Sequence, residues 1–380
     1  MTKRQKFDPS APGARELRDR IVHGAFVTEG TMVAFPTCFP GVTVPLPADE
    51  SRITALDATP NGIVYAGTSG RAAHLLVGMF HGVTGMVFDM GAVEGGERTV
   101  AVCSGRKGVV AGVNGPAGGR LVARELEPLP FDLIQEWHIR RRPLHDAGSV
   151  CGGERIVHMV ADAERATAVG ATEGHLFTFD FASSAIEVVG EVPGRGRLAR
   201  TPSGAIVGSD EDASLWRYDP KSRTLERRAL RLPAEGTWGA TVASAADAPG
   251  SLAPSPVMWA LDPANERLYV ADAEGRIFVF TESGGFAAHP VACTPVGPVG
   301  AMAVTFDGRL FGSYGEGMSK LFCYDPKTQS LTSLGVAVSV FERRRYGYAF
   351  GDAVVGRDGE IVFGEDDDLG HLWLYFPRIR

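Results

Sequence analysis

The chain has 380 residues, 44% hydrophobic and 22% charged, with 48 glycines and a formal net charge of −7. That balance describes an ordinary globular protein and excludes a disordered or collagen-like chain. The acidic excess argues against nucleic acid as a partner, since phosphate neutralisation asks for a basic surface.

No apolar run approaches the ~20 residues of a membrane-spanning helix, so no membrane partner is expected. The N-terminal Met1-Thr2-Lys3-Arg4-Gln5-Lys6 is charged but is not followed by the apolar core of a signal peptide. The expected location is cytoplasmic. Five cysteines, Cys38, Cys103, Cys151, Cys293 and Cys323, are isolated and odd in number. Structural disulfides and a cysteine-built zinc site are both disfavoured by that spacing.

Residues 1–24 are polar, with one amphipathic piece from Ala14 to Val22, and are expected to form a tail or short helix. Beyond them a unit recurs about seven times. Each copy has a small-residue turn, a short apolar strand ending near Gly-Ser or Gly-Thr, a polar loop, and a strand opening on Leu or Ile. Clear copies run from Pro202-Ser203-Gly204 through Gly208-Ser209 to Leu215-Trp216-Arg217-Tyr218-Asp219-Pro220. Another runs from Phe306-Asp307-Gly308 through Gly312-Ser313 to Leu321-Phe322-Cys323-Tyr324-Asp325-Pro326. Repeats of about 40–50 residues with several short strands each signal a β-propeller.

The predicted fold is all-β: one seven-bladed β-propeller over residues 25–380. The blades fall at about 53–93, 99–139, 156–192, 196–233, 257–295, 299–338 and 348–380. The last has only three evident strands. Its fourth is expected from the segment 25–46, around Thr31-Met32-Val33-Ala34-Phe35, which would close the ring and hide strand edges. Asn61-Gly62, Asp307-Gly308 and Asp358-Gly359 suit turns that need positive φ. Long loops are expected at about 140–155 and 234–256.

In a propeller, the loops between blades and those between second and third strands share one face, around the channel mouth. The between-blade loops are rich in arginine. They hold Arg52; Arg140, Arg141, Arg142 and His145; Arg195 and Arg197; and Arg343, Arg344, Arg345 and Tyr346. Guanidinium groups converging there would suit an anionic small molecule or glycan. Equally, they could lie over apolar surface or pair with acidic loops.

His74, His175 and His371 each precede a Leu at the start of a third strand. They form either a functional rim or a set of local hydrogen bonds inherited with the repeat. The acidic runs Asp210-Glu211-Asp212 and Glu365-Asp366-Asp367-Asp368 offer oxygens for calcium or another divalent cation, without EF-hand spacing. Such runs are more often solvated faces.

Gly174-His175-Leu176-Phe177-Thr178-Phe179-Asp180, and Ser319 to Thr328 followed by Leu334-Gly335, resemble repeats of bacterial and fungal seven-bladed propellers. Among these are polysaccharide lyases that cleave rhamnose–glucuronate linkages. Leu268-Tyr269-Val270-Ala271-Asp272 is similar instead to lactonase-like and NHL propellers. The lyase resemblance implies β-elimination on a uronate-containing glycan. A cation would neutralise the carboxylate, a His or Tyr would remove the C5 proton, and an acid would protonate the leaving oxygen.

On that reading His145 and Tyr346 are the catalytic candidates. Arg52, His74, Arg141, Arg142, His175, Arg195, Arg197, Arg344 and His371 would bind substrate. The competing reading is a non-catalytic propeller that binds a protein or glycan. A metal-dependent, lactonase-like hydrolase is the third.

Overall fold

The computed structural model describes residues 29–36, 46–125, 144–192, 196–209, 215–228, 258–272, 274–281, 288–340 and 346–378. Every regular element among them is a β-strand, apart from two single-turn 3-10 segments. The strands form five four-stranded antiparallel sheets and one eight-stranded sheet, in which the single pair Ser69↔Arg98 joins two four-stranded units, arranged as a seven-bladed propeller. No described helix is long and apolar enough to cross a membrane.

Strand β1 (Thr31–Pro36) comes first in the chain but belongs to the last blade. Blade one is β2 (Arg52–Ala58), β3 (Ile63–Ser69), β4 (Ala73–His81) and β5 (Thr84–Val93). Blade two is β6 (Arg98–Ser104), β7 (Gly108–Gly115), β8 (Gly118–Glu125) and β9 (His145–Ser149). Blade three is β10 (Ile156–Ala161), β11 (Thr167–Thr172), β12 (His175–Asp180) and β13 (Ile186–Glu191). Blade four is β14 (Ala199–Arg200), β15 (Ile206–Ser209), β16 (Leu215–Asp219) and β17 (Thr224–Arg228). Blade five is β18 (Met258–Asp262), β19 (Arg267–Ala271), β20 (Arg276–Thr281) and β21 (Ala288–Cys293). Blade six is β22 (Val299–Val304), β23 (Leu310–Tyr314), β24 (Lys320–Asp325) and β25 (Ser330–Val336). Blade seven is β26 (Phe350–Val355), β27 (Ile361–Glu365) and β28 (His371–Phe376), completed by β1.

The closing strand pairs antiparallel with β28 from Thr31↔Phe376 to Pro36↔His371. Its side chains alternate between two blade interfaces, as the period of two demands. Val33 and Phe35 join the core shared with blade one, while Met32 and Ala34 join the core shared with blade six. Every neighbouring pair of blades is sealed by such a cluster. Third strands supply the large members: Phe177, Trp216, Phe322 and Trp373 are each at most 1% exposed.

Local chemistry sets the turns. Gly62, Gly308 and Gly359 lie at φ of +85°, +82° and +86°, a region open to glycine at little cost. Where third strand passes to fourth, Asp219 Oδ1 accepts the Lys221 N–H at 2.9 Å and Asp325 Oδ1 accepts the Lys327 N–H at 2.9 Å. These Asx turns reverse the chain before the outer strand.

One expected boundary is corrected. Blade two does not end at Ile139, because β8 takes its outer partner from His145–Ser149, with Ala123 opposite His145. The expected loop at 140–155 therefore contains a strand. The loop at 234–256 lies outside the described residues, as does the N-terminal tail.

Candidate functional site

Inner strands run from an upper face, carrying the between-blade loops, to a lower face, carrying the turns into each second strand. Inner strands have no ladder partner across the axis, so some of their N–H groups need side-chain acceptors. Neighbouring blades supply them. Asp352 Oδ2 accepts the Leu56 N–H at 2.8 Å, Asp57 Oδ2 accepts the Ser104 N–H at 2.6 Å, and His158 Nδ1 accepts the Leu198 N–H at 3.1 Å. Burial, with Arg197 adding to it, holds His158 well below the usual histidine range. A neutral imidazole can accept; an imidazolium cannot.

Register bulges in β10 and β26 place His158 and Asp352 just after the irregularity. Bulges redirect side chains in this way. Arg197, before β14, reaches across the ring to blade seven. Its Nη1 lies 2.7 Å from Asp352 Oδ1 and its Nη2 donates to the Gly351 carbonyl. The Trp259 indole donates to the Arg197 carbonyl at 2.9 Å.

Below this pair lies a recess of about 470 Å³. That volume falls within the roughly 300–1,000 Å³ typical of small-molecule sites. Its walls are inner-strand residues and their neighbours, including Val160, Leu198, Trp259, Met302 and Val355. Phe306, 70% exposed, stands at its edge. A broader concavity of about 960 Å³ adjoins it, lined by Asn61, Tyr65, Arg106 and Arg357.

Two arginines enter the recess with different commitments. Arg165 ties blade three to blades one and two. Its Nη1 lies 2.9 Å from Asp57 Oδ2 and 2.6 Å from the Ser104 carbonyl, and its Nη2 is 2.7 Å from the Ala58 carbonyl. Arg200 has one hydrogen bond among the described residues, from Nη1 to the Asp162 carbonyl at 3.1 Å. Burial and the nearby Arg165 cation lower its pKa. It is a half-buried guanidinium with donors to spare.

The upper-face candidates have other partners. His74 is buried between Asp89 Oδ2, 3.0 Å from Nδ1, and Glu50 Oε2, 3.2 Å from Nε2. His175 Nδ1 lies 2.9 Å from Glu154 Oε1, and His371 Nδ1 lies 3.3 Å from Glu365 Oε2. Each histidine thus meets a carboxylate of its own blade. Arg52 Nε is 3.0 Å from Asp366 Oδ1. In the acidic run, Glu365 and Asp366 are thereby engaged, and Asp367 Oδ1 accepts the Leu369 N–H at 2.8 Å.

His145 is on an exposed outer strand and not in a loop at the channel mouth, because β8 needed that partner. Tyr346 is half-buried in an isolated bridge to Val338. Arg141, Arg142, Arg195 and Arg344 lie outside the described residues, with Asp210, Glu211 and Asp212. The recess was not anticipated. One signal for it exists: the turns hold Pro60, Pro202 and Pro263 where blade six has Phe306.

No protein-family model and no curated protein sequence matches the chain. Solved structures share its fold. The extracellular domain of the putative hybrid two component system BT4673 from B. thetaiotaomicron is similar at 13% identity and a TM-score of 0.56, over 91% of this chain and 40% of that one. The same extracellular domain, described as a putative one component system, matches at 12% identity and 0.55, over 90% and 39%. The chain thus spans about two-fifths of those structures. The RRP9 WD40 repeats match at 9% identity and 0.57, over 92% of this chain and 99% of that one. These likenesses are of fold, and a propeller frame hosts many functions.

Proposed function

We propose that the protein is a ligand-binding propeller that takes a small carboxylate-bearing molecule in the recess, a uronate sugar being one such class. The observation that carries this reading is Arg200, whose guanidinium enters a mostly apolar cavity with a single backbone acceptor among the described residues. A carboxylate would fill the vacant donors bidentately. Trp259 and Phe306 would take the ring or apolar body of the ligand.

Binding is favoured over β-elimination at this recess. Elimination needs a base beside the cation. Tyr65 is the one Tyr or His among the described residues lining the two concavities. Burial pushes its phenol up to about 12, despite Arg124 nearby, which makes it a poor base near neutral pH.

The test is calorimetric titration of the full chain with glucuronate, simple carboxylates and their neutral counterparts. Binding of the acids alone, lost in Arg200→Gln, supports the proposal. Equal binding of neutral counterparts, or none by any acid, overturns it. Ultraviolet absorbance from an unsaturated uronate product would establish the lyase reading instead.

A further inference from the structure

We propose that Cys151, Glu154 and His175 form a transition-metal site, suited to Zn²⁺, on the upper face at the seam of blades two and three. One ligand atom from each residue lies within 4.8 Å of the other two. Ligand atoms around a tetrahedral zinc ion, at ~2.0–2.3 Å from the metal, sit roughly 3.5 Å apart. Small side-chain rotations therefore suffice to gather the three.

The donor set selects the ion. Sulfur and imidazole nitrogen with one carboxylate suit zinc and its late first-row neighbours, whereas calcium and magnesium want oxygen alone. All three residues are partly exposed, so water can reach a fourth position. On binding, the thiol proton passes to solvent and the sulfur bonds as thiolate.

The surroundings hold the ligands in place. Thr172 Oγ1 donates to Glu154 Oε2 at 2.5 Å, and the Gly174 N–H donates to the same oxygen at 3.2 Å. Cys151, Gly152 and Gly153 have φ of +47°, +70° and +92° in succession. A non-glycine residue in that region is uncommon. The loop is wedged against blade two: a Cβ on Gly118 would lie 1.8 Å from the Gly153 carbonyl oxygen.

A histidine–carboxylate pair alone would be the rim's ordinary contact. His74 meets Glu50 and Asp89, and His371 meets Glu365. Blade three departs from them by adding a thiol. The spacing of Cys151 to the other cysteines hides this, because its companions are a Glu and a His and not another Cys.

The full chain, stripped with chelator and desalted, is titrated with Co²⁺ and, in competition with a chromophoric chelator, with Zn²⁺. One equivalent should bind, with a thiolate-to-cobalt charge-transfer band. Cys151→Ser should abolish the band, and both it and His175→Ala should weaken zinc binding by about tenfold or more. Thr172→Val, which removes a supporting hydrogen bond, should cost about tenfold. Cys293→Ser should change nothing, and circular dichroism checks that each variant folds. Absence of stoichiometric binding by the folded wild type, or binding unchanged in Cys151→Ser and His175→Ala, overturns the site.

Discussion

Arg197 and Asp352 meet at 2.7 Å although they belong to blades four and seven, which are not neighbours in the ring. The pair joins two blades across the ring, and the residues that follow its members, Leu198 and Ala353, line the recess. Asp352 uses its other oxygen on the Leu56 N–H of blade one, so three blades converge on one carboxylate. Both side chains are less than a quarter exposed. Breaking such a pair from one side leaves the other charge unpaired, at about 3–5 kcal/mol. Arg197→Ala should lose stability of that order in urea unfolding, and Arg197→Met with Asp352→Asn, which removes the charge and keeps an oxygen for the Leu56 N–H, should recover part of it.

Arg200 should behave in the opposite way. Its charge is opposed by desolvation and by Arg165, and among the described residues it gains only the more distant fields of Asp57 and Asp162, without a carboxylate salt bridge. Arg200→Gln should leave the melting temperature unchanged or raise it while removing carboxylate binding. Stability set against activity in this manner is typical of functional groups. A marked loss of stability would mean that the residue is structural.

Phe306 offers a cleaner separation. A side chain 70% exposed contributes little to the fold, and surface substitutions usually stay within about ±0.5 kcal/mol. Phe306→Ser should therefore melt like wild type and weaken ligand binding about tenfold, by loss of a stacking contact.

Two histidines should impose opposite pH dependences. Burial alone would lower His74, but Asp89 and Glu50 outweigh it and raise its pKa above 6.5. Its stabilising contribution is complete below 6.5 and fades as pH rises through the elevated folded value. His158 is held well below 6.5 by burial and Arg197. Its contribution is complete above 6.5 and fades as pH falls toward the folded value. Thermal unfolding between about pH 5 and 8 should show the alkaline loss reduced in His74→Gln and the acid loss reduced in His158→Gln.

Gly118 should not tolerate a side chain. Its φ is +99° and an added Cβ would meet the Gly153 carbonyl oxygen. Gly118→Ala should destabilise the protein by about 1–3 kcal/mol and weaken cobalt binding by displacing the Cys151 loop.

The fold was legible because its determinants are local and repeated. Gly62, Gly308 and Gly359 mark the lower turns, Asp219 and Asp325 mark the outer ones, and Trp216 and Trp373 mark third strands. The blade-two outer strand was not, because the stretch between Glu125 and His145 breaks the period that located the others. The recess was hidden for another reason. Arg165, Arg200, Trp259 and Phe306 come from four different blades, and only closure of the ring gathers them. Each looks ordinary in its own turn or strand. The equivalence of His74, His175 and His371 was visible, but their carboxylate partners sit at different offsets: before the first strand for Glu50 and Glu154, and at the end of the second for Glu365.

Three side-chain acceptors on the inner strands of the described residues point the same way round. Blade seven serves blade one, blade one serves blade two, and blade three serves blade four. An open array of repeats can fray from an end, since each unit leans only on its neighbours. Here β1 closes the ring against β28, so the propeller presents no such end. Loosening one blade would strip an acceptor from the next, and the disturbance would travel in a single rotational sense. Amide exchange in Asp57→Ala should accordingly rise in the inner strand of blade two before that of blade seven.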